Sequence, residues 1–120
     1  MSDPAPPLPP LLATFDEALA TLGRQDDPRF TVVMRHGSMS VELYAPRGVD
    51  PQSPHGQDEL YVVARGTGRF VCGDREVRFS PGDVLFVPAG ATHRFIDFSV
   101  DLAVWVLFYG PRGGESPGAT

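Results

Sequence analysis

Two short stretches of this chain carry side chains that can bind a metal ion, each close to the start of a β-strand pattern. The first, residues 54–59, reads Pro-His-Gly-Gln-Asp-Glu and leads into an apolar run over residues 60–64. The second starts at Gly82, passes through a Pro-Ala-Gly turn and opens a further strand on His93. Imidazole and carboxylate groups at the starts of two strands are what a metal site inside a small β-barrel requires. The two stretches therefore predict a metal-binding barrel.

The pattern around these stretches predicts an all-β fold. From Phe30 onward apolar residues recur with a period of two, in segments bounded by turn residues. Many short strands of this kind are typical of a β-sandwich or barrel. The predicted strands are residues 30–34, 39–44, 60–64, 68–72, 75–79, 84–87, 93–98 and 102–109.

One short α-helix is predicted ahead of the strands, over residues 14–22. Thr14 and Glu17 have the spacing of a capping box, in which each satisfies an amide group at the helix start. Apolar residues then recur at helical spacing as far as Leu22, and Gly23 stops the run. We expect this helix to pack on the outside of the sheet.

The chain of 120 residues is short enough to be one domain. Residues 1–11 contain five prolines and are predicted to form a Pro-rich N-terminal arm. Residues 12–110 are predicted to form a single barrel domain that includes the leading helix. The remainder, residues 111–120, is rich in Gly and is predicted to be a flexible tail.

Composition narrows the classes of partner. The formal net charge is −5, and the ten basic residues, all Arg, form no cluster, which argues against binding to nucleic acid or an anionic membrane. The single cysteine, Cys72, excludes an internal disulfide and a Cys-rich zinc site. Neither a signal peptide nor a run of 18 apolar residues is found, so we expect a soluble, cytoplasmic protein.

Both metal-ligand stretches resemble motifs of the cupin family. Gly82-x5-Pro88-x-Gly90-x2-His93-x3-Asp97 is similar to the second cupin motif, Gly-x5-Pro-x-Gly-x2-His-x3-Asn, and departs from it only in the final Asp. The resemblance covers about residues 40–109. It implies a double-stranded β-helix, the cupin jelly-roll barrel, and it says little about activity because this fold serves many chemistries.

The first cupin motif ends His-x3/4-Glu-x6-Gly, and His55-x3-Glu59-x6-Gly66 reproduces that spacing. Cupins usually begin it with His-x-His, whose first position falls here on Ser53. The resemblance thus implies a reduced ligand set of His55, Glu59 and His93, completed by water or Gln57. Two imidazoles and one carboxylate suit Fe(II), with Mn, Ni or Zn as alternatives. Some cupin dioxygenases similarly use two His and one Glu.

Simpler interpretations of the same residues stay open at this point. A single His beside Pro in a loop, as His55 is, is usually solvated. Glu59 lies in a Gln-Asp-Glu stretch that resembles an exposed acidic loop, with Asp58 expected to be its solvated neighbour. Asp97 is more simply a turn or hydrogen-bonding residue than a ligand.

Strand alternation predicts the surroundings of the metal. If Glu59 and His93 point inward, Tyr61 and Phe95 do so too. They would form a largely apolar pocket with one phenol hydroxyl, suited to a small and partly hydrophobic organic molecule. Gln57, Tyr61 and Phe95 are therefore candidates for an additional ligand or a substrate contact.

The last predicted strand, residues 102–109, is apolar on both faces. One face must line the barrel, and the other must be covered by the predicted helix or by a second subunit. A homodimer is predicted on this ground. Whether Trp105 faces the pocket or an interface is left open.

These observations predict a metal-binding cupin that acts on a small molecule, of oxygenase or isomerase type. No residue besides the metal ligands stands out as a general base, although Tyr61 or Gln57 would be able to orient a substrate. The alternative is a non-catalytic barrel that binds or senses a small ligand.

Overall fold

The computed structural model describes residues 8–116, which form one helix and eight strands. Their bounds are α1 Phe15–Leu22, β1 Phe30–His36, β2 Met39–Tyr44, β3 Asp58–Arg65, β4 Gly68–Cys72, β5 Arg75–Phe79, β6 Val84–Val87, β7 His93–Ile96 and β8 Ala103–Tyr109. All predicted strands are present, and their ends differ from the prediction by at most two residues. Most of the predicted arm, residues 1–7, and the end of the predicted tail, residues 117–120, lie outside the described residues.

The strands form two antiparallel sheets with the core between them. The larger sheet has the order β1-β2-β8-β3-β6 and the smaller one β5-β4-β7. Both sheets contribute to one apolar cluster, which includes Tyr61, Val63, Phe70, Phe95, Val104 and Val106. This arrangement confirms the predicted all-β jelly-roll barrel with one short N-terminal helix.

Alternation along two strands directs the candidate ligands into the barrel. In β3, Glu59 and Tyr61 are completely buried, whereas the intervening Leu60 is only half-buried. In β7, His93 is buried and the next residue, Arg94, is exposed. Because β3 pairs with β6 on one side and β8 on the other, Glu59 lies in an interior strand of the sheet.

Helix α1 covers the outer face of the larger sheet. One half of the predicted capping box forms, because the Glu17 amide donates a hydrogen bond to Thr14 Oγ1 at 3.1 Å. The reciprocal bond from the Thr14 amide to the Glu17 side chain is not found among residues 8–116. The helix and the sheet share an apolar cluster of Ala18, Leu22, Leu43 and Ala103. Trp105 packs against this cluster and meets the Phe15 ring edge-on at 6.4 Å between centroids. Trp105 thus lies beneath the helix, away from the barrel interior.

Within residues 8–116 no helix is long and apolar enough to cross a membrane.

The connection between β3 and β4 approaches another loop closely at Gly66. This residue has a φ of +96°, and a Cβ there would lie 2.6 Å from Leu102 Cα and 2.9 Å from Ser99 Oγ. Both the left-handed backbone and the lack of space require glycine. The last glycine of the first motif is therefore explained by packing of the barrel end, not by metal binding.

We predict that Gly66→Ala lowers the free energy of unfolding by about 2–4 kcal/mol, since it adds overpacking to backbone strain. Gly73→Ala is the matched control: Gly73 has a φ of +60°, and a Cβ there would meet no atom within 4 Å, so only strain of about 1–2 kcal/mol applies. Urea denaturation of both variants measures the difference. Equal losses would contradict the close approach at Gly66.

Candidate metal centre

Three side chains converge inside the barrel near the start of β3. The ligand atoms of His55, Glu59 and His93 all lie within 4.8 Å of one another. The Oε1 atom of Glu59 is 2.9 Å from His93 Nε2 and 3.9 Å from His55 Nε2. The structure thus brings together the three residues that the sequence singled out as metal ligands.

The donor atoms of this cluster lack hydrogen-bond partners. Among residues 8–116, neither carboxylate oxygen of Glu59 nor the Nε2 atom of His93 has one, although all three atoms are buried. The Oε1 atom of Glu59 and the Nε2 atom of His93 are 2.9 Å apart, close enough for an ion pair when the imidazole is protonated. Buried polar atoms are nearly always paired, and an uncompensated carboxylate is costly. A bound cation would satisfy all three atoms, so the donor set fits a metal ion.

A backbone carbonyl orients the His93 ring. His93 Nδ1 lies 2.9 Å from the carbonyl oxygen of Ala91, which can only accept, so Nδ1 carries the proton. Nε2 then points to Glu59 and is the ring nitrogen left for a metal ion, as in metal-binding histidines. Burial lowers the pKa of His93, but contact with the Glu59 carboxylate and the Ala91 carbonyl outweighs it and holds the pKa above its ordinary value.

His55 enters the site from the loop between β2 and β3. Its backbone oxygen accepts a hydrogen bond from Gly90 N at 2.8 Å, which ties this loop to the turn that precedes β7. The imidazole is half-buried, 4.9 Å from the Phe108 ring and 5.2 Å from the His93 ring between centroids. It therefore lies in the mouth of the barrel. An isolated loop histidine would instead lie in bulk solvent.

A buried carboxylate that the sequence did not indicate holds the same loop. Asp50 is only 5% exposed, and its Oδ1 accepts a hydrogen bond from the Tyr44 hydroxyl. Its Oδ2 accepts from Gln52 Nε2 at 2.9 Å and from the backbone amide of Phe95 at 2.8 Å. Asp50 thus links the loop to β2 and to β7. No periodicity in the loop sequence marks it.

Gln52 connects this carboxylate to the metal-ligand cluster. Its Oε1 accepts a hydrogen bond from the Tyr61 hydroxyl at 3.0 Å and lies 3.2 Å from His55 Nε2. Burial raises the pKa of Tyr61, so its hydroxyl stays protonated and acts as a donor. Ser53, the position of the missing first histidine, is exposed. Gln52, which no sequence pattern singled out, is the polar neighbour of His55 on this side.

The three candidates for an additional ligand or a substrate contact, Gln57, Tyr61 and Phe95, lie in different parts of the barrel. Gln57 Nε2 donates to the carbonyl oxygens of Ser38 at 2.8 Å and Gly110 at 2.9 Å, so its amide nitrogen is engaged in holding the chain. Tyr61 and Phe95 are fully buried, with ring centroids 5.0 Å apart. They form the apolar floor beneath the cluster, and Tyr61 reaches it through Gln52.

Asp58 corrects one expectation. It was expected to be the solvated neighbour of Glu59, but it is only 5% exposed. Its Oδ2 accepts from the Glu115 amide at 2.8 Å and its Oδ1 from the Ala89 amide at 2.9 Å. Both hydrogen bonds hold the pKa of Asp58 below its ordinary value, and the one from Glu115 has the larger effect. The expectation was wrong because the carboxylate clamps two chain segments at the start of β3.

The last position of the second motif has a conformational role. Asp97 has a φ of +49°, a left-handed conformation in which Asn and Asp are favoured among non-glycine residues. Its carboxylate pairs with Arg69 and does not belong to the metal-ligand cluster. The Asp found in place of Asn therefore preserves the turn.

A cavity opens beside His55. Its volume is about 310 Å³, and it is lined by His55, Gly56, Gln57, Phe108 and Arg112. Phe108 pairs across the sheet with Glu59, so one aromatic side chain stands next to the candidate ligands. The cavity is suited to a small molecule with an apolar part.

Comparison with known proteins agrees with this fold. Residues 40–109 match the family model of the cupin domain, and the chain belongs to the cupin family. It is 39% identical to an uncharacterised protein of Streptomyces coelicolor over 89 residues, which cover 72% of this chain and 85% of the relative.

Two solved structures illustrate the likeness of the fold. A cupin-2 domain-containing protein from Shewanella frigidimarina is similar with a TM-score of 0.62 and 15% identity, over 84% of this chain and 95% of that one. A protein from Thermus thermophilus is similar with a TM-score of 0.57 and 27% identity, over 74% of this chain and 90% of that one.

One further carboxylate faces the barrel interior from β2. Glu42 lies between Val41 and Leu43, and Leu43 packs under α1, so alternation turns Glu42 to the inner face with Tyr44. Burial, followed by the negative charge of Glu59, raises the pKa of Glu42 to about 7, while Arg35 lowers it. This residue was not among the sequence-based candidates, although the alternation in β2 indicates it.

We predict that Glu42→Gln removes a pH dependence from the stability of the metal-free protein. Because the pKa of Glu42 rises from 4.5 to about 7 on folding, the folded state favours the protonated form. Its contribution is complete below pH 4.5 and is lost as the pH rises through 7. After allowance for partial exposure, wild type should lose roughly 1–2 kcal/mol more than the variant over this range.

Urea denaturation at several pH values in the presence of a chelator measures this slope. Glu17→Gln is the matched control because Glu17 is exposed on α1, and it should keep the wild-type slope. An unchanged slope in Glu42→Gln would contradict the buried position of this carboxyl.

Proposed function

We propose that this cupin is a metal-dependent enzyme that acts on a small organic molecule, with His55, Glu59 and His93 as the metal ligands. The observation that carries the proposal is the cluster of His55, Glu59 and His93. The buried donor atoms of Glu59 and His93 lack hydrogen-bond partners, and His55 lines an open cavity. Three protein ligands leave coordination positions for substrate or water, which is typical of catalytic rather than structural sites.

Two imidazoles and one carboxylate favour Fe(II), with Mn, Ni and Zn as alternatives. A divalent metal held there supplies either the redox chemistry of an oxygenase or the Lewis-acid polarisation of a carbonyl needed by an isomerase. The chain itself positions the substrate: the Phe108 ring packs beside His55 and presents an apolar wall. The buried Tyr61 hydroxyl donates to Gln52, whose Oε1 also lies 3.2 Å from His55 Nε2, and so helps to hold the loop that carries His55.

A non-catalytic binding or sensing barrel is the second candidate. It is favoured by the chemistry of the cavity wall. Apart from His55, the described lining residues are Gly56, Gln57, Phe108 and Arg112, none of which acts as a general base at neutral pH. A bound ligand would then be recognised without being converted.

The homodimer and the cytoplasmic location stay predictions. Helix α1 already covers Ala103 and Trp105 on the outer face of β8, so that strand needs no second subunit. Val84 and Phe86 of β6 stay 61% and 47% exposed, and they are the apolar surface that a second copy would have to cover.

We predict that the protein purified without a tag contains close to one divalent metal ion per chain, and that His93→Ala loses it. Removal of a buried imidazole leaves too few donors to compete with water. Elemental analysis measures metal content, and His36→Ala is the matched control because His36 is exposed at the end of β1. Metal retained in His93→Ala, or lost equally in both variants, would contradict the assignment.

We predict that protein reconstituted anaerobically with Fe(II) turns over a member of a panel of phenols, thiols and diketones, and that Glu59→Gln reduces turnover to background. Oxygen electrode traces measure oxygenase activity, and proton NMR of the mixtures detects isomerised products. Loss of turnover with retained ligand binding in Glu59→Gln would support an enzyme. A wild-type protein that binds a panel member and converts none would support the binding module instead.

A further inference from the structure

The C-terminal segment, residues 110–115, is fixed across the mouth of the cavity. It was predicted to belong largely to a flexible tail, yet its backbone is anchored to three different parts of the barrel. The anchors are hydrogen bonds from Gly110 N to Ser38 Oγ (3.1 Å), from Gly113 N to Gly56 O (2.7 Å) and from Glu115 N to Asp58 Oδ2 (2.8 Å). Gln57 adds a side-chain hydrogen bond to Gly110 O at 2.9 Å.

These anchors place the Arg112 side chain beside the metal-ligand loop. Its guanidinium carbon and one terminal nitrogen lie 3.9 Å from where a Cβ on Gly56 would be, and Arg112 lines the same cavity as His55 and Phe108. At these distances the guanidinium is in van der Waals contact with the loop that carries His55. Arg112 is thus an exposed residue that lines one side of the cavity.

The charge of Arg112 is not neutralised by the described part of the chain. Arg29 and Arg69 form salt bridges with carboxylates, but no carboxylate among residues 8–116 forms one with Arg112. Seven other arginines among residues 8–116 likewise form no salt bridge, and Arg112 differs from them in lining the same cavity as His55. A cation that stays available beside a cavity attracts an anionic ligand group.

We propose that Arg112 binds a carboxylate of the ligand, so that this cupin acts on small organic acids. A guanidinium offers two parallel N–H donors that match a carboxylate, and such charge-assisted pairs are about twice as strong as neutral hydrogen bonds. The remainder of the molecule then contacts the Phe108 ring and reaches towards His55, Glu59 and His93. The inference rests on the proposed function in one respect: both use the same cavity.

The size of the cavity and the number of cations in it define the ligand further. About 310 Å³ accommodates a molecule with one short apolar body or a single ring. Arg112 is the one permanently cationic side chain among the described lining residues. One guanidinium matches one monoanionic carboxylate better than a dianionic phosphate, which usually binds several donors at once.

Binding of benzoate and of its neutral analogue benzamide, followed by NMR titration, tests the proposal. Titrations are made with metal-free and Zn-loaded protein, for wild type, Arg112→Gln and Arg24→Gln. Arg24 is the matched control because it is exposed beyond the end of α1, on the outer side of the sheet. In metal-free protein we expect Arg112→Gln to weaken benzoate binding about tenfold or more, with benzamide binding and the Arg24→Gln variant unchanged.

Arg112→Lys is expected to lie between wild type and Arg112→Gln, because lysine keeps the charge and loses the paired donors. Equal benzoate affinity in wild type and Arg112→Gln overturns the proposal. So does a failure of wild type to bind either benzoate or the smaller acid propionate, or equal affinity for benzoate and benzamide.

The metal-free titration separates this inference from the proposed function. If the protein takes up no metal but its benzoate binding depends on Arg112, the carboxylate site stands and the metal-dependent enzyme fails. If metal is bound through His93 and the affinity for benzoate does not depend on Arg112, the metal centre stands and the carboxylate site fails.

Discussion

Burying the Glu59 carboxylate between the two sheets costs several kcal/mol unless a cation or a hydrogen-bond donor compensates for the lost water. In this barrel the compensation has to come from outside the carboxylate's own strand, because Glu59 sits in an interior strand with apolar neighbours. His93 and His55 approach it from β7 and from the loop before β3. The pairing of strands, the close approach of the loops and the shape of the cavity all serve to keep these groups together.

The loop that carries His55 is held by side-chain hydrogen bonds, although it has almost no regular structure. Asp50 anchors it to two strands, and Gln52 continues the chain of hydrogen bonds to Tyr61 and to the His55 ring. Side-chain networks in an apolar interior stabilise one arrangement strongly, since each unpaired member would be costly. The ligand set lacks the usual first histidine, and this network gives the remaining loop histidine a defined position.

Much of the fold was predictable because it depends on local patterns. Alternation placed the strands, the capping box placed α1, and motif spacing brought His55 and Glu59 together with His93. What escaped prediction depends on contacts between residues distant in sequence. Asp50 reaches the backbone of Phe95, and Asp58 bonds to Ala89 and to Glu115. Polar residues in a Pro-rich loop or near a Gly-rich terminus have no periodicity, so a sequence read alone assigns them to solvent.

The segment at residues 110–115 is attached mainly through its own backbone groups, which bond to Ser38, Gly56 and Asp58. Gly110, Gly113 and Gly114 have positive φ and are constrained to glycine, but the attachment does not depend on the side chains of Pro111, Arg112 and Glu115. Mutations that exchange those side chains would leave the barrel and its strand register intact. The cavity rim is therefore a place where related cupins can diverge in evolution at little cost to folding, each lineage altering what it recognises by a few substitutions outside the barrel itself.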